Sequence, residues 1–522
     1  MSQSFKLFLF CWMVVFTERL LFWVWLWQLK NYHFKRFIDH FRTSKGKKLI
    51  FNLQNLGLFL LILFVLFIYF IPEQETALLW YSYWFLVLTV FFALLCLKVL
   101  YNVVLVRLKI PVFTKKSLFL IFSGIVLEFL IVFFFAAFKE SSGFLLLLFF
   151  FFSPLIFSLL VLVLQPLTVY QRRIILKKAK EKREKFKKLT VIGITGSYGK
   201  TSVKEILSFI LSKKFKVLKT KKHVNAEIGI AQAVLNELDE THEVFVCEIG
   251  AYEKGKIKEV CEVVNPKIGI LTGINEQHMS TFGSQQNIIS AKFELVDEVD
   301  LAILNKDSRF VKKEVKQRKI LCSVKEAGDV FASNVIETKE GVSFDLYSQK
   351  GDSVHFDLKM KGKQNIINAL LSAACAKELG IGFEQTSSYL KDFEMEEAPL
   401  KVKKGDLTVI DASYSANPEG VLADLDYLNL FEGKKAIVMP CLIELGKSSK
   451  KVHFKIGEKI AEVCSLGVLT TKERLKDVKK SGANVVFLEK ADDILELLNK
   501  NEIKTVLLES RVPKSLKDKL WK

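Results

Sequence analysis

Four apolar stretches dominate the first third of this sequence: Leu49–Ile71, Ala77–Leu100, Leu118–Phe138 and Phe144–Tyr170. An α-helix rising about 1.5 Å per residue needs roughly 20 residues to cross the ~30 Å hydrocarbon core of a bilayer, and each stretch approaches or exceeds that length. Runs such as Phe144–Phe152 are apolar on every face, whereas a helix at the edge of a soluble core is apolar on one. A fifth stretch, Leu7–Leu29, carries Glu18 and Arg19 near its middle, adjacent opposite charges that could neutralise each other or face neighbouring helices. No small-residue cleavage site follows it and more spans come after, so a cleaved signal peptide fits poorly. The expectation for residues 1–170 is a helical membrane domain of about five spans. Trp23, Trp25, Trp27, Trp80 and Trp84 lie near span ends and are expected at the headgroup level. Glu128 marks a polar pathway or packs between helices; no periodic polar face supports a channel.

The formal charge of the 522 residues is +20, a sign that suits nucleic acid or a membrane surface. Its distribution decides between them. Residues 1–189 hold 25 Lys/Arg against 8 Asp/Glu, a net +17, and residues 190–522 hold 51 against 48, a net +3. Lys30–Lys48 carries seven basic residues, Tyr101–Ser117 four and Gln171–Leu189 ten, while Glu73–Thr76 has none and Lys139–Gly143 one. That alternation puts the three basic segments in the cytoplasm, the N-terminus outside and residues 190–522 inside. Segment 171–189 reads as an exposed basic helix or linker near anionic lipid. No basic patch follows residue 190, and no nucleic-acid partner is expected. The eight Cys form no CxxC pair, which argues against a zinc ribbon and suits a reducing compartment.

The character changes at Leu189-Thr-Val-Ile-Gly-Ile-Thr-Gly-Ser-Tyr-Gly-Lys-Thr-Ser. A β-branched run, Val191–Ile194, meets a glycine-rich turn, and a helical pattern follows from Thr201. Backbone N–H groups of such a turn and the helix N-terminus form an anion site. Gly196, Ser197 and Gly199 would cradle phosphate, Lys200 would reach the β- and γ-phosphates, and Thr201 beside Ser202 would ligate Mg²⁺. The spacing departs from the commonest phosphate loop: Gly193 precedes Gly199 by five residues between them, and Gly196 by two.

The pattern Gly-x-Thr-Gly-x-x-Gly-Lys-Thr is similar to the nucleotide loop of the Mur ligase family, which makes amide bonds from ATP, a carboxylate and an amine. Further segments carry the same resemblance. His223-Val-Asn-Ala-Glu-Ile-Gly places Asn225 ahead of an Ile-Gly pair; Val244-Phe-Val-Cys-Glu ends in Glu248, at the family's magnesium-binding Glu. His278 falls at the second metal position, Lys292 where many members carry a carbamoylated lysine, and Asn305 in the Asn-x-Asp segment near the adenine. The resemblance implies ATP, two Mg²⁺ ions held by Thr201, Glu248, His278 and Lys292, and a carbamate at Lys292. Lys200, His278 and Lys292 are the implied catalytic groups. The chemistry is consistent: phosphoryl transfer to a carboxylate gathers negative oxygens and needs metal and fixed cations.

A second boundary is expected near Pro399, giving a central ATP-binding domain over 190–398 and a C-terminal domain over 399–522. Gly362-Lys-Gln-Asn-Ile-Ile-Asn opens a helix, and strands at Thr408–Ile410, Ala436–Met439 and Val485–Leu488 alternate with helical patterns. The expected fold class is an α-helical transmembrane domain, then a P-loop α/β domain with a parallel sheet, then a Rossmann-like α/β domain. Asp411-Ala-Ser-Tyr-Ser-Ala-Asn-Pro and Pro440-Cys-Leu-Ile-Glu-Leu-Gly-Lys, with His453 downstream, resemble the branch that joins D-Ala-D-Ala to UDP-N-acetylmuramoyl-tripeptide, the MurF type. The resemblance implies nucleotide contacts from Lys401 and Asp411, and substrate contacts from Asn225, Ser413, Tyr414, Asn417 and Glu444. It also implies peptidoglycan synthesis, over residues 190–522 only; joined to the apolar spans of 1–170, it gives the expectation of a bacterial inner-membrane enzyme with the lipid bilayer and other membrane-bound cell-wall enzymes as partners. Departures bear on nucleotide affinity and domain closure: Gln364 replaces a His, Lys401 an Arg, Ala412 a second Asp, and Glu509-Ser-Arg a Lys-Gly-Ser-Arg-like end. The membrane domain stands where the family's UDP-sugar-binding domain usually lies. Another membrane-associated Mur-like ligase, such as a poly-γ-glutamate synthetase, and an ATP-driven transporter or scaffold are the alternatives.

Overall fold

The computed structural model describes residues 2–30, 32, 34–41, 43–136, 142–222, 224–311, 315–395, 400–413 and 417–521; His223, Pro399 and Tyr414 lie outside them. The chain forms two compact units, Met1–Gln171 and Arg172–Lys522.

The first unit is helical: α1 (Gln3–Leu29), α2 (Phe34–His40), α3 (Ser44–Ile50), α4 (Leu53–Tyr69), α5 (Gln74–Val104), α6 (Lys115–Ala136), α7 (Gly143–Val163) and the start of α8 (Gln165–Glu184). Five helical stretches are long and apolar enough to cross a membrane: 3–29, 46–69, 75–104, 115–135 and 143–184. α1 packs against α5, α6 and α7, burying Phe5, Phe8, Trp12, Phe16 and Leu20. Trp23, Trp27 and Trp84 are buried within the bundle. Their indoles find partners inside the bundle: Trp27 Nε1 donates to Ser158 Oγ at 3.1 Å and Trp84 Nε1 to the Leu61 carbonyl at 2.9 Å. Trp80 is the one exposed ring of the five, at 45 %. Arg19 is explained by α7. Pro154 has no N–H to offer the Phe150 carbonyl four residues earlier. That carbonyl instead accepts Arg19 Nη1 at 2.7 Å, while Nη2 donates to Asn55 Oδ1 at 2.9 Å. Glu128 accepts from Thr17 Oγ1 at 2.9 Å. Outward-facing side chains include Leu60, Phe67, Phe133 and Leu155, a surface that water would penalise.

In the second unit, the segment expected as an exposed helix or linker is helical to Glu184 and docks on the α/β core. Leu176 and Ala179, one turn apart, are buried. Arg172 pairs with Glu227 at 3.0 Å and with Glu259, and Arg183 Nη2 donates to the Asn265 carbonyl at 3.1 Å. Periodicity hidden in a highly charged stretch makes this face adhesive.

The central domain runs β1 (Thr190–Thr195), α9 (Lys200–Ser212), β2 (Val217–Lys219), α10 (Glu227–Glu237), β3 (Val244–Glu248), α11 (Lys256–Val264), β4 (Ile268–Leu271), α12 (Met279–Phe282), α13 (Gln285–Asp297), β5 (Leu301–Asn305) and β6 (Arg318–Ser323). It ends with β7 (Val330–Glu337), β8 (Val342–Ser348), β9 (Ser353–Leu358), α14 (Gln364–Glu378) and α15 (Phe383–Leu390). Among the described residues the sheet order is β2-β3-β1-β4-β5-β6-β7-β8-β9. Pairing is parallel from β2 to β7 and antiparallel for β7–β8 and β8–β9, so the expected parallel sheet is in fact mixed. β1 lies between β3 and β4, where connections leave toward opposite sheet edges, and the crevice beyond its carboxyl end is the topological switch point.

The C-terminal domain comprises β10 (Lys401–Lys403), β11 (Thr408–Ala412), α16 (Pro418–Asn429), β12 (Lys435–Met439), α17 (Ser449–Val463), β13 (Leu466–Leu469), α18 (Leu475–Lys479), β14 (Val485–Phe487), α19 (Ala491–Lys500), β15 (Thr505–Glu509) and α20 (Lys514–Trp521). Its described strands order as β10-β11-β15-β12-β13-β14, parallel except for the edge strand β10.

The docking of α8 sets a boundary for truncation. A chain starting at Arg172 should melt measurably higher than one starting at Leu189, because the latter bares the Leu176 and Ala179 seat. Leu176→Ala in the full chain should cost about 2–5 kcal/mol in the ligase unit, read by denaturant titration.

Candidate active site

The strand β1 delivers a short turn onto the start of α9. Gly199 caps α9 at φ 76°, in the left-handed region, and a Cβ on it would sit 2.7 Å from Asn368 Oδ1. Gly196 admits no side chain either, since its Cβ would lie against Thr272 Oγ1. The turn is pinned from β4's end: Ser197 N donates to the Gly273 carbonyl at 2.7 Å, and Thr272 Oγ1 donates to the Tyr198 carbonyl. Lys200 folds back, its Nζ donating to the Gly196 carbonyl at 2.9 Å. Ser202 lies in the first turn of α9 beside Thr201.

Glu248, at the end of β3 and 4 % exposed, is the hub. Thr201 Oγ1 donates to its Oε2 at 2.9 Å and Asn225 Nδ2 to its Oε1 at 3.1 Å. Lys204, fully buried one turn after Lys200, stands 3.6 Å from Oε2 and 3.2 Å from Glu205. Lys204 and Thr272 were not singled out by sequence. The Lys-x-x-x-Lys spacing, which puts Lys204 on the face of Lys200, is the signal for the former.

His278 stands at φ 64° at the N-cap of α12 and approaches Glu444 Oε2 through Nδ1 at 2.5 Å. The Tyr252 ring meets it edge-on at 4.8 Å. Lys292 on α13 is 3 % exposed. Its burial, reinforced by the nearby Lys200 charge, lowers the Lys292 ammonium to about 7. Desolvation likewise lowers Lys200, against the pull of Glu248, and lowers His278, with Lys292 and Lys200 adding to the effect and Glu444 opposing it. The structure thus brings Lys200, Thr201, Asn225, Glu248, His278 and Lys292 into one electrostatically linked group.

The other expected site residues sit around it. Asn305 Nδ2 donates to the Thr272 carbonyl at 2.7 Å, bracing the loop that pins the phosphate turn. Asn417 caps α16 and accepts from Asn275 Nδ2 at 3.2 Å. Glu444 is engaged with His278 across the domains. Asp411 pairs with Lys517 at 2.7 Å and accepts from Ser413 N at 3.0 Å; burial would raise its carboxyl, but these donors hold it below the usual range. Ser413 Oγ accepts from Lys517 Nζ at 3.1 Å. Lys401 is exposed at the start of β10, opposite Asp411 in the ladder. Tyr414 lies outside the described residues.

The fold and this geometry match known proteins. A model of the Mur ligase middle domain matches residues 194–376. The UDP-N-acetylmuramoyl-tripeptide–D-alanyl-D-alanine ligase of Buchnera aphidicola subsp. Baizongia pistaciae (strain Bp) is 30% identical over 344 residues, covering 62% of this chain and 73% of that protein. This chain belongs to the Mur ligase family. The enzyme of the same name from Bacillus subtilis (strain 168) is 28% identical over 63% of this chain and 74% of its own length. Among solved structures, MurF from Acinetobacter baumannii superposes with a TM-score of 0.61 at 26% identity, over 67% of this chain and 79% of that one. As a Mur ligase, this chain is an ATP-dependent ligase.

The departures from the family's motifs also meet in space. Gln364, at the start of α14, donates Nε2 to Asp424 Oδ1 at 3.4 Å, and Asp424 is buried with Glu509. Ala412 is the ladder neighbour of Glu509. Burial, and then the Asp424 charge, pushes Glu509 up; burial pushes Asp424 up to about 7, with Glu337 adding to it and hydrogen bonds with Glu509 and Gln364 opposing it. An unfolded chain sheds these protons near the usual carboxylate range, whereas the folded chain keeps them. The pair's contribution to stability is therefore fullest in acid and is lost as pH rises through about 7. Asp424→Asn should flatten that fall: its thermal midpoint should exceed the parent's at about pH 8 and match it at about pH 4.

Proposed function

We propose that this Mur ligase joins D-Ala-D-Ala to UDP-N-acetylmuramoyl-tripeptide at the cytoplasmic face of a bacterial inner membrane. The observation that carries this reading is the meeting of two motif sets on one loop. Residues 272–284 pin the phosphate turn through Thr272 and Gly273, and are gripped from the other side by Asn417 and Glu444 of the Ser-Tyr-Ser-Ala-Asn-Pro and Ile-Glu-Leu-Gly segments. The names of the relatives above support the same acceptor.

In this reading the ATP γ-phosphoryl moves to a terminal carboxylate oxygen of the tripeptide, breaking its bond to the β-phosphate oxygen and leaving ADP. The amine of D-Ala-D-Ala, freed of its extra proton, attacks the acyl carbon; the C–N bond forms and inorganic phosphate departs. Lys200, now folded on the Gly196 carbonyl, would turn its three donors to the β- and γ-phosphates. Backbone N–H groups of 198–201 would cradle the phosphate oxygens, the Ser197 N–H being held by the Gly273 carbonyl. The domains clasping the 272–284 loop exclude water from the acyl phosphate.

The donor set fits Mg²⁺: Glu248 and Thr201 Oγ1 are hard oxygens 2.9 Å apart, with His278 and Lys292 in the same electrostatic group. Bound Mg²⁺, two ions in this reading, supplies charge neutralisation at the phosphoryl oxygens. The lowered Lys292 ammonium leaves a neutral amine available to add CO₂, which supports a carbamate there. The five apolar helices, with the basic segments between them, support a multi-pass anchor with the N-terminus outside. Its lipid-facing surface would place the ligase beside lipid-linked precursors and other membrane-bound cell-wall enzymes.

With ATP and the UDP-tripeptide, phosphate release should depend on D-Ala-D-Ala; release that responds to glutamate instead would refute the acceptor. Lys200→Ala should lower turnover by roughly a hundredfold or more. Labelling with ¹³C-bicarbonate should give a carbamate carbonyl resonance that Lys292→Arg abolishes. Its absence from the unaltered enzyme would remove the carbamate from the scheme.

A further inference from the structure

The loop that carries His278 does not hold that side chain with groups of its own domain alone. The backbone of His278 is left-handed, at φ 64°, and so is that of Glu444 in the turn after β12. The two side chains meet at 2.5 Å, Nδ1 to Oε2. The contact is doubled by the backbone: Ser280 N donates to the Glu444 carbonyl at 3.0 Å. Gly446 comes in so close that a Cβ there would stand 3.1 Å from Met279 Cγ. Near the start of the same loop, Asn275 is gripped by Asn417 and Glu419. The C-terminal domain therefore fixes this stretch at both ends.

An ionised carboxylate only accepts, so the proton of a neutral His278 sits on Nδ1 and the lone pair on Nε2. A ring held by a carboxylate at one nitrogen presents the other as a fixed ligand, and loss of such a partner typically weakens metal binding about 10–100-fold.

We propose that Glu444 is a positioning residue for His278: it locks the Nδ1–H tautomer and the ring orientation, so that docking of the C-terminal domain completes the metal end of the active site. This rests on the ligase reading, with His278 serving the metal, and it gives Glu444 a part distinct from contact with the acceptor dipeptide. The motif's carboxylate would then report domain closure to the phosphate end rather than select the amine.

The test uses the full chain in detergent, with Mn²⁺ as the metal probe and a non-hydrolysable ATP analogue, read by electron paramagnetic resonance. Glu444→Ala should weaken Mn²⁺ binding about tenfold, and turnover should fall while the KM for D-Ala-D-Ala stays unchanged. Glu444→Gln, whose amide oxygen still accepts from Nδ1–H, should recover most of the binding. In a double-mutant cycle, adding Glu444→Ala to His278→Ala should cost nothing further. Unaltered Mn²⁺ affinity in Glu444→Ala, or a raised KM for D-Ala-D-Ala with metal binding intact, would overturn the inference while leaving the ligase reading standing. If the unsubstituted chain failed to bind Mn²⁺ with the nucleotide, the ligase reading would fall, and the inference with it.

Discussion

One buried carboxylate organises the ligase unit. Glu248 ends β3, next to β1, and takes contacts from Thr201 and Lys204 on α9 and from Asn225 ahead of α10; its backbone N–H is bound by Thr220 Oγ1 at 3.0 Å. A carboxylate this enclosed is costly unless its oxygens are satisfied. Satisfying them draws the start of α9, the residues after β2 and the segment before α10 onto the carboxyl end of the sheet. The phosphate turn is thereby placed over the switch point of the sheet, with Lys204 offsetting charge from below. A metal arriving at Glu248 and Thr201 would enter a site already assembled rather than gather one.

The second constraint is the loop from Thr272 to Ser284. On one side Thr272 and Gly273 pin the phosphate turn; on the other, Asn275 and His278 are held by residues of the C-terminal domain. The loop therefore bridges the glycine-rich turn and the C-terminal residues Asn417 and Glu444, which brings two motifs far apart in sequence to one place.

The chemistry-bearing strands and loops were readable from the residues because their signals are local. A β-branched run before glycine and Gly-Lys-Thr predicts the β1–α9 turn, and strand patterns at 408, 436 and 485 recur in β11, β12 and β14. Pairings across the chain were not readable. Nothing near Glu444 marks His278, 166 residues away, as its partner. The docking of α8 was masked by charge, since Leu176 and Ala179 are diluted among ten basic residues. The antiparallel end of the central sheet was missed for a related reason: the β7–β8–β9 pairings hold a meander in place without any glycine-rich phosphate signature. The indole partners of the helical unit were equally hidden, since nothing beside Trp84 in sequence points to the Leu61 carbonyl that its Nε1–H reaches.

The two units distribute their apolar and polar side chains in opposite ways. In the ligase unit, polar groups at depth are gathered onto Glu248 and the sheet ends, and few large apolar side chains face outward: Ile174, Ile336, Ile443 and Phe454 among the described residues. In the helical unit the relation is inverted. Its surface is crowded with Leu, Phe and Val, while the Arg19 guanidinium is turned inward onto the Phe150 carbonyl. Pro154 denies that carbonyl its usual N–H, and Arg19 Nη1 and Ser153 Oγ supply donors in its place. Most of the net charge of +20 lies in this inverted unit and the basic segment that follows it, since residues 190–522 carry only +3.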